Sequence, residues 1–380
     1  MTDGPKDGTE QEPPLSKHRR LESSSDGPSI DVACMRTESA LVSVIIPCHN
    51  GSPWLRECLM SVAGQSHEPL EVSFWDDAST DDSSIVLESS RQALEEKKVL
   101  ITTGRNSSGC PAGCGAAKNR AVLQSRGRYL CFLDADDIMH PSRVARQLEL
   151  VLKKGDQCLI GSNVVREPAD AQPRYTAWLN SLSDEQLLLH RFKECTLAMP
   201  TWFCARALFD KVGGFDETGP GSPEDLKFFY QHLSAGGSLA KVQAPLVTYR
   251  YHEKQSSRGV SADKIWALRV QDFEATLVNT LTTFSIWSAG RDGKRLYRSL
   301  SLPNRKKVVA FLDIDEKKMS GGGYFDKELK RHVAILDWRN ASDEKNQPTV
   351  ICVKSGLHEG FDENLASLGL EEGIQYWHFN

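Results

Sequence analysis

Residues 41–47, Leu-Val-Ser-Val-Ile-Ile-Pro, form an unbroken β-branched run of the kind buried on both faces of a parallel sheet. Downstream, WLRECLMSVAGQ (54–65) spaces Leu55, Leu59 and Val62 as a helix does. LEVSFWDD (70–77) predicts a second strand, SSIVLESSRQALEEK (83–97) a helix, and VLITTG (99–104) a third strand. GAAKNRAVLQSR (115–126) then predicts a helix and RYLCFLDADD (128–137) a fourth strand. SRVARQLELVLKK (142–154) and QCLIGSNVVR (157–166) add one more helix and strand. Such alternation is the signature of a doubly wound α/β layer with a mostly parallel sheet.

Working outward, residues 167–240 look irregular, before a strand at KVQAPLVTYRYH (241–252) and a helix-rich stretch at 263–281. A second alternation begins at TFSIWSAG (283–290). It continues through GKRLYRSL (293–300), KVVAFLDID (307–315), HVAILDW (332–338) and TVICVKS (349–355), and ENLASLGL (363–370) and IQYWHF (374–379) close it. The expected division is a disordered arm over 1–40, a main α/β domain over 41–282, and a small Rossmann-like α/β domain over 283–380. The arm holds no aromatic residue and is rich in Gly, Pro, Ser, Asp and Glu, so it cannot bury enough surface to offset the entropy of ordering.

Composition narrows the function classes. The 46 Lys+Arg against 51 Asp+Glu give a net charge of −5, so the chain as a whole is not one that grips nucleic acid by charge alone. No apolar run is long enough to span a bilayer, and the N-terminus has no apolar leader, so a cytoplasmic setting is expected, with SKHRR (16–20) a weak nuclear signal. Ten cysteines form no CxxC pair or zinc spacing and read as reduced thiols, Cys110 and Cys114 included. The sequons at Asn106 and Asn340 then carry no glycan.

Open α/β sheets bind ligands beyond the carboxyl ends of their strands. The first strand ends in Pro47-Cys48-His49-Asn50, the second in Asp76-Asp77-Ala78-Ser79-Thr80-Asp81, and the fourth in Asp134-Ala135-Asp136-Asp137. Crowded carboxylates repel one another unless a cation or a donor-rich ligand sits among them. Asp134-x-Asp136 suits Mg²⁺ or Mn²⁺, which prefer oxygen ligands, and Asp77 is placed to hydrogen-bond a nucleobase or ribose. The plainer alternative makes the acidic run a turn, with Asp137 or Ser142 capping the next helix. Glu224-Asp225, after Ser222-Pro223, reads either as a general base or as the acidic first turn of a helix, and both can hold at once. Trp178, Trp202 and Phe203 read as core or as the wall of an acceptor pocket.

VSVIIPCHN, VSFWDDASTDDS and GAAKNRA…GRYLCFLDADD, followed in order by GGFDE (213–217), PGSPEDLKFFYQHLSAGG (220–237) and YRYHEKQSS (249–257), resemble the family 2 glycosyltransferases of GT-A fold. The resemblance covers roughly 41–257. It implies that Pro47 and Asp77 contact the nucleoside of a UDP-sugar. Asp134, with Ala135 beside it, would reach the ribose. Asp136 would bind the metal, with Asp134 and His252 close to it, and Asp225 would be the general base beside Glu224. The family's helix Arg is Lys118 here, which puts bidentate phosphate contact in doubt, and CPAGCG (110–115) looks longer than usual.

In the C-terminal part, Gly290-Arg291-Asp292-Gly293 is either a plain turn or a phosphate-binding one. The segment IWSAGRDGKRLYRSL (286–300), joined to the preceding domain, resembles glycosyltransferases that act on the queuosine base of tRNA. That resemblance implies a UDP-galactose donor, a queuosine-containing tRNA acceptor and no membrane partner. Lys294, Arg295, Arg298, Arg305, Lys306 and Lys307 would be the basic patch for it, or else a solvated helix face. The rival readings are transfer of N-acetylglucosamine to a glycan or protein, and a nucleotide-sugar-binding module without turnover.

Overall fold

The computed structural model describes residues 1, 40–255, 259–353 and 360–379. The arm over 2–39, with SKHRR, lies outside the described residues. Four strands open the chain: β1 (Val42–Cys48), β2 (Leu70–Asp76), β3 (Leu100–Arg105) and β4 (Tyr129–Phe132). The helices Ser52–Ala63, Ser83–Glu96 and Cys114–Gln124 lie between them. All seven residues of β1 are buried. Val42, Val44 and Ile46 enter one apolar cluster and Ile45 the cluster on the opposite face. That is the double burial the unbroken run requires.

β5 (Ile138–Met139), β6 (Cys158–Glu167), β7 (Phe203–Ala205) and β8 (Ser238–Arg250) complete an eight-stranded sheet ordered β3-β2-β1-β4-β7-β6-β8-β5. The pairs β3–β2, β2–β1, β1–β4 and β6–β8 are parallel. The short strands β7 and β5 run antiparallel to their neighbours. A second sheet holds β9 (Phe284–Trp287), β10 (Val308–Asp313), β11 (Tyr324–Asp326), β12 (Arg331–Asp337), β13 (Thr349–Ile351) and β14 (Tyr376–His378). Its order is β11-β12-β10-β9-β13-β14, parallel except at β11. The class is α/β with mostly parallel sheets, as the alternation implies.

Three local expectations need correction. The fourth strand ends at Phe132 rather than Asp137, because the Asp137 amide donates to the Asp134 carbonyl at 3.1 Å and turns the chain. The stretch 167–240 is not irregular: it holds helices Pro173–Ser181, Asp184–Leu189, Arg206–Val212 and Glu224–Ser234. One of these carried a readable signal, the reciprocal Ser183/Gln186 capping box. The stretch 263–281 is helical as expected, as Ala262–Thr276 and the short turn Val278–Thr280, but neither helix Leu302–Lys307 nor β11 was expected.

Trp202 and Phe203 have no exposed surface and Trp178 packs on the same cluster, so these rings are core rather than pocket wall. One further cluster unites Phe192, Trp266, Val270 and Phe273 with Phe284 and Ile286 of the second sheet and Leu296 of the helix Arg291–Ser299. The nine cysteines among the described residues are free thiols. No helix among them is long and apolar enough to cross a membrane.

Candidate active site

The carboxyl edge of β1, β2 and β4 gathers most of the residues singled out from the sequence. After β2, the acidic turn is largely self-supporting. Asp76 Oδ1 accepts from the Ser79 amide at 2.8 Å, and Asp81 accepts from the amides of Ser52 and Ser83. Asp77 is 3% exposed, and its carboxylate takes three N–H donors from the loop 106–113. These are Asn106 Nδ2 at 2.8 Å, the Ala112 amide at 2.9 Å and the Gly113 amide at 2.8 Å. In this structure Asp77 clasps its own loop, and Pro47 is buried within β1. Gly113 sits at φ 101, where a side chain would be strained. A Cβ there would also meet the Gly219 backbone at 2.9 Å, so the loops 106–113 and 216–222 lie in contact.

Beyond β4, the carboxylates of Asp134, Asp136 and Asp137 each bring an oxygen within 4.8 Å of the other two. Asp137 has no exposed surface, and its Oδ1 accepts from the Arg250 amide at 2.8 Å while Oδ2 is buried without a partner. Sequence reasoning had Asp137 as a candidate helix cap; the cap is Ser142. The third acid of the run was the available signal. His252, just past β8, places Nε2 2.9 Å from Asp136 Oδ2. Its ring stacks on Trp54, centroids 3.8 Å apart and planes 14° from parallel. Nothing in the sequence pointed to Trp54 beyond a helix start.

Near this cluster, Glu224 and Asp225 open the helix Glu224–Ser234 as its acidic first turn. Lys118 is 2% exposed and its Nζ meets Glu224 Oε1 at 2.9 Å. Burial works against the Lys118 charge, but Cys114, Glu224, Asp134 and Asp225 outweigh it and hold the ammonium well above its usual range. Lys118 therefore neutralises Glu224, whose carboxyl falls below its ordinary value despite burial. Gly115, in the first turn of the Lys118 helix, faces the Asp216 carbonyl, which a Cβ would approach to 2.1 Å. That close approach, with Asn119 bonded to the Phe215 backbone in both directions at 2.9 Å, docks the GGFDE segment on this helix.

Asp134 and Asp225 are half-buried and keep some solvent contact. Burial first, and then Asp136, Glu224 and Asp225 against the pull of Lys118, push Asp134 up to about 6. Burial and the neighbouring Glu224 push Asp225 up to about 6. Asp137 is driven well up by burial and by Asp136 and Asp134. A carboxyl whose pKa is higher folded than unfolded binds its proton more tightly in the folded state, so it favours folding at low pH. That contribution is full below the unfolded value near 3.8 and is lost as pH rises through about 6. In chelator-treated protein, the melting temperature should therefore fall between pH 4 and pH 6 more steeply than in the variant carrying Asp134→Asn and Asp225→Asn. Equal slopes for the two proteins, followed by calorimetry, would remove this reading of the cluster.

Residues 43–213 match the model of the family described as Glycosyl transferase family 2. An uncharacterized glycosyltransferase of Rickettsia conorii is 26% identical over 231 residues, covering 58% of this chain and 36% of the relative. The putative teichuronic acid biosynthesis glycosyltransferase TuaG of Bacillus subtilis is 32% identical over 114 residues, covering 30% of this chain and 43% of TuaG. The chain thus spans about a third to a half of the length of these two relatives. Among solved structures, S. aureus TarS 1–349 in complex with UDP-GlcNAc superposes with a TM-score of 0.49 at 15% identity, over 70% of this chain and 84% of that one. The stretch similar to the Glycosyl transferase family 2 model holds the strand-end carboxylates Asp77, Asp134, Asp136 and Asp137 together with Lys118, whereas Glu224, Asp225 and His252 lie beyond it.

Proposed function

We propose that the protein is a metal-dependent, inverting glycosyltransferase that moves a hexose from a UDP-sugar to an acceptor hydroxyl. The observation that carries this reading is the convergence of Asp134, Asp136 and Asp137 within 4.8 Å, near a fourth acid, Asp225, that burial pushes up to about 6. The orphaned Asp137 Oδ2 among these acids fits a cation-binding cluster, with His252 Nε2 2.9 Å from Asp136. Asp136 and Asp134 would hold Mn²⁺ or Mg²⁺, with His252 adjoining and Asp137 added to the sequence-based set. A divalent cation there supplies charge neutralisation for the departing diphosphate.

The chain's own groups do the rest. Asp225 accepts the proton of the acceptor hydroxyl as its oxygen bonds to the anomeric carbon and the carbon–diphosphate bond breaks, releasing UDP. A single displacement inverts the configuration, as in inverting glycoside hydrolysis. Glu224, paired with Lys118, serves as the anchor of this helix start rather than as the base. Asp77 acts by fixing the loop 106–113 beside the nucleoside, next to Pro47, and Ala135 spaces the two metal-facing acids.

The finer assignment is galactose from UDP-galactose to a hydroxyl of queuosine in a tRNA. It is supported by the resemblance at 286–300. Of the six basic residues of the patch over 294–307, three have structural duties: Arg295 pairs with Asp263, Arg305 with Glu328 and Asp326, and Lys307 donates to the carbonyls of Val278 and Asn279. Arg298 and Lys306 are exposed, and Lys294 lies over the Tyr324 ring. Incubating queuosine-containing tRNA with each UDP-sugar and analysing its nucleosides by mass spectrometry should give a hexosylated queuosine with UDP-galactose. No product with any donor would overturn the acceptor. Reversing Lys294, Arg298 and Lys306 to Glu should weaken tRNA binding and flatten its salt dependence while leaving UDP-sugar binding intact.

A further inference from the structure

We infer that Trp54 is a positioning residue, whose indole holds the His252 imidazole in the orientation that presents Nε2 to Asp136. The inference rests on the reading of Asp136 as a cation ligand. The rotation of a histidine ring about its last side-chain bond is broad and poorly fixed by the backbone. A ring used for one nitrogen therefore needs two restraints. Among the described residues the His252 ring has one hydrogen bond, Nε2 to Asp136 Oδ2 at 2.9 Å, while Nδ1 is buried with no partner. The second restraint is the indole face, stacked at 3.8 Å and 14°.

Trp54 is itself well placed to act as a fixed surface. It lies in the first turn of the helix Ser52–Ala63, where the Gly51 amide donates to Ser83 Oγ at 3.0 Å and the Ser52 amide to Asp81 Oδ2 at 2.9 Å. Leu55, the next residue, has no exposed surface and anchors the turn in the core. The indole is only partly buried and belongs to none of the apolar clusters, so its contact with His252 is not a by-product of core packing. Through this stack, the acidic turn after β2 is tied to the acidic turn after β4: Asp81 fixes the helix start, the helix start fixes Trp54, and Trp54 fixes the partner of Asp136.

The test uses the full chain, uniformly labelled with nitrogen-15, as wild type, Trp54→Ala and Trp54→Phe. Long-range proton–nitrogen spectra at one pH read the His252 ring, and steady-state kinetics read the Mn²⁺ concentration giving half-maximal rate. In Trp54→Ala the ring-current shift of the His252 protons should vanish and the Nε2 signal should move. The Mn²⁺ requirement should rise by about 10–100-fold, the cost of losing a group that orients a metal ligand. Trp54→Phe, which retains a stacking face, should restore most of both. Wild-type His252 signals and Mn²⁺ dependence in Trp54→Ala would overturn the inference, as would a Trp54→Phe protein as impaired as Trp54→Ala. If the wild-type rate is indifferent to Mn²⁺, the metal reading of Asp136 fails. The spectra, which need no metal, then decide the stack by themselves.

Discussion

Asp136→Asn should lower sugar transfer by roughly 1,000-fold, the several kcal/mol that charge stabilisation by a bound cation contributes to a transition state. The substitution is nearly isosteric, and an Asn amide can still hydrogen-bond His252 Nε2, which sits 2.9 Å from the native carboxylate. What is lost is the negative charge. Removing it also relieves repulsion on Asp134, one cause of that carboxyl's rise to about 6. The variant should accordingly melt no lower than the wild type in the absence of metal while losing turnover. Rate measurements with and without chelator, alongside a melting curve, separate the two effects. Near-normal activity in either condition would refute the metal assignment.

Asp225→Asn should cost ~100-fold or more in kcat, in the range for a missing general base. Donor affinity should change little, since the proposed role sets Asp225 against the acceptor rather than the nucleotide. The base works as the carboxylate, so the wild-type rate should fall as pH drops through about 6, the value to which burial and Glu224 push the group. The residual rate of the Asn variant should lack that limb. If UDP-sugar affinity collapses together with turnover, Asp225 belongs to the donor site and its role as base is wrong.

Legibility from sequence followed physical periodicity. Val42–Cys48 and the alternation after it are continuous apolar signals that survive without context, and the first strands and helices fall within one to two residues of expectation. The acids at the strand ends could be named because the ends of parallel strands face one edge. Their division of labour could not. Asp77 belongs to the loop 106–113 through contacts spanning about 30 residues, and Lys118 reaches Glu224 across 106 positions of chain. Asp137 was legible as an acid but not as a member of the cluster, because only the turn after Phe132 brings it round. The short helices between 173 and 212 depend on tertiary packing rather than on periodicity, as isolated helices of that length are marginal in water.

The apolar cluster in which Phe192, Trp266, Val270 and Phe273 meet Phe284, Ile286 and Leu296 bears on modularity. A boundary between exchangeable modules falls where few side chains cross, whereas here the rings of one segment complete the interior of the next. A chain shortened to end before Phe284 would turn several large apolar side chains to water, each worth ~1.5–3 kcal/mol of burial. Recombination that swapped the C-terminal sheet for another would have to match that surface ring by ring. The helix Ala262–Thr276 and the second sheet thus share one interior.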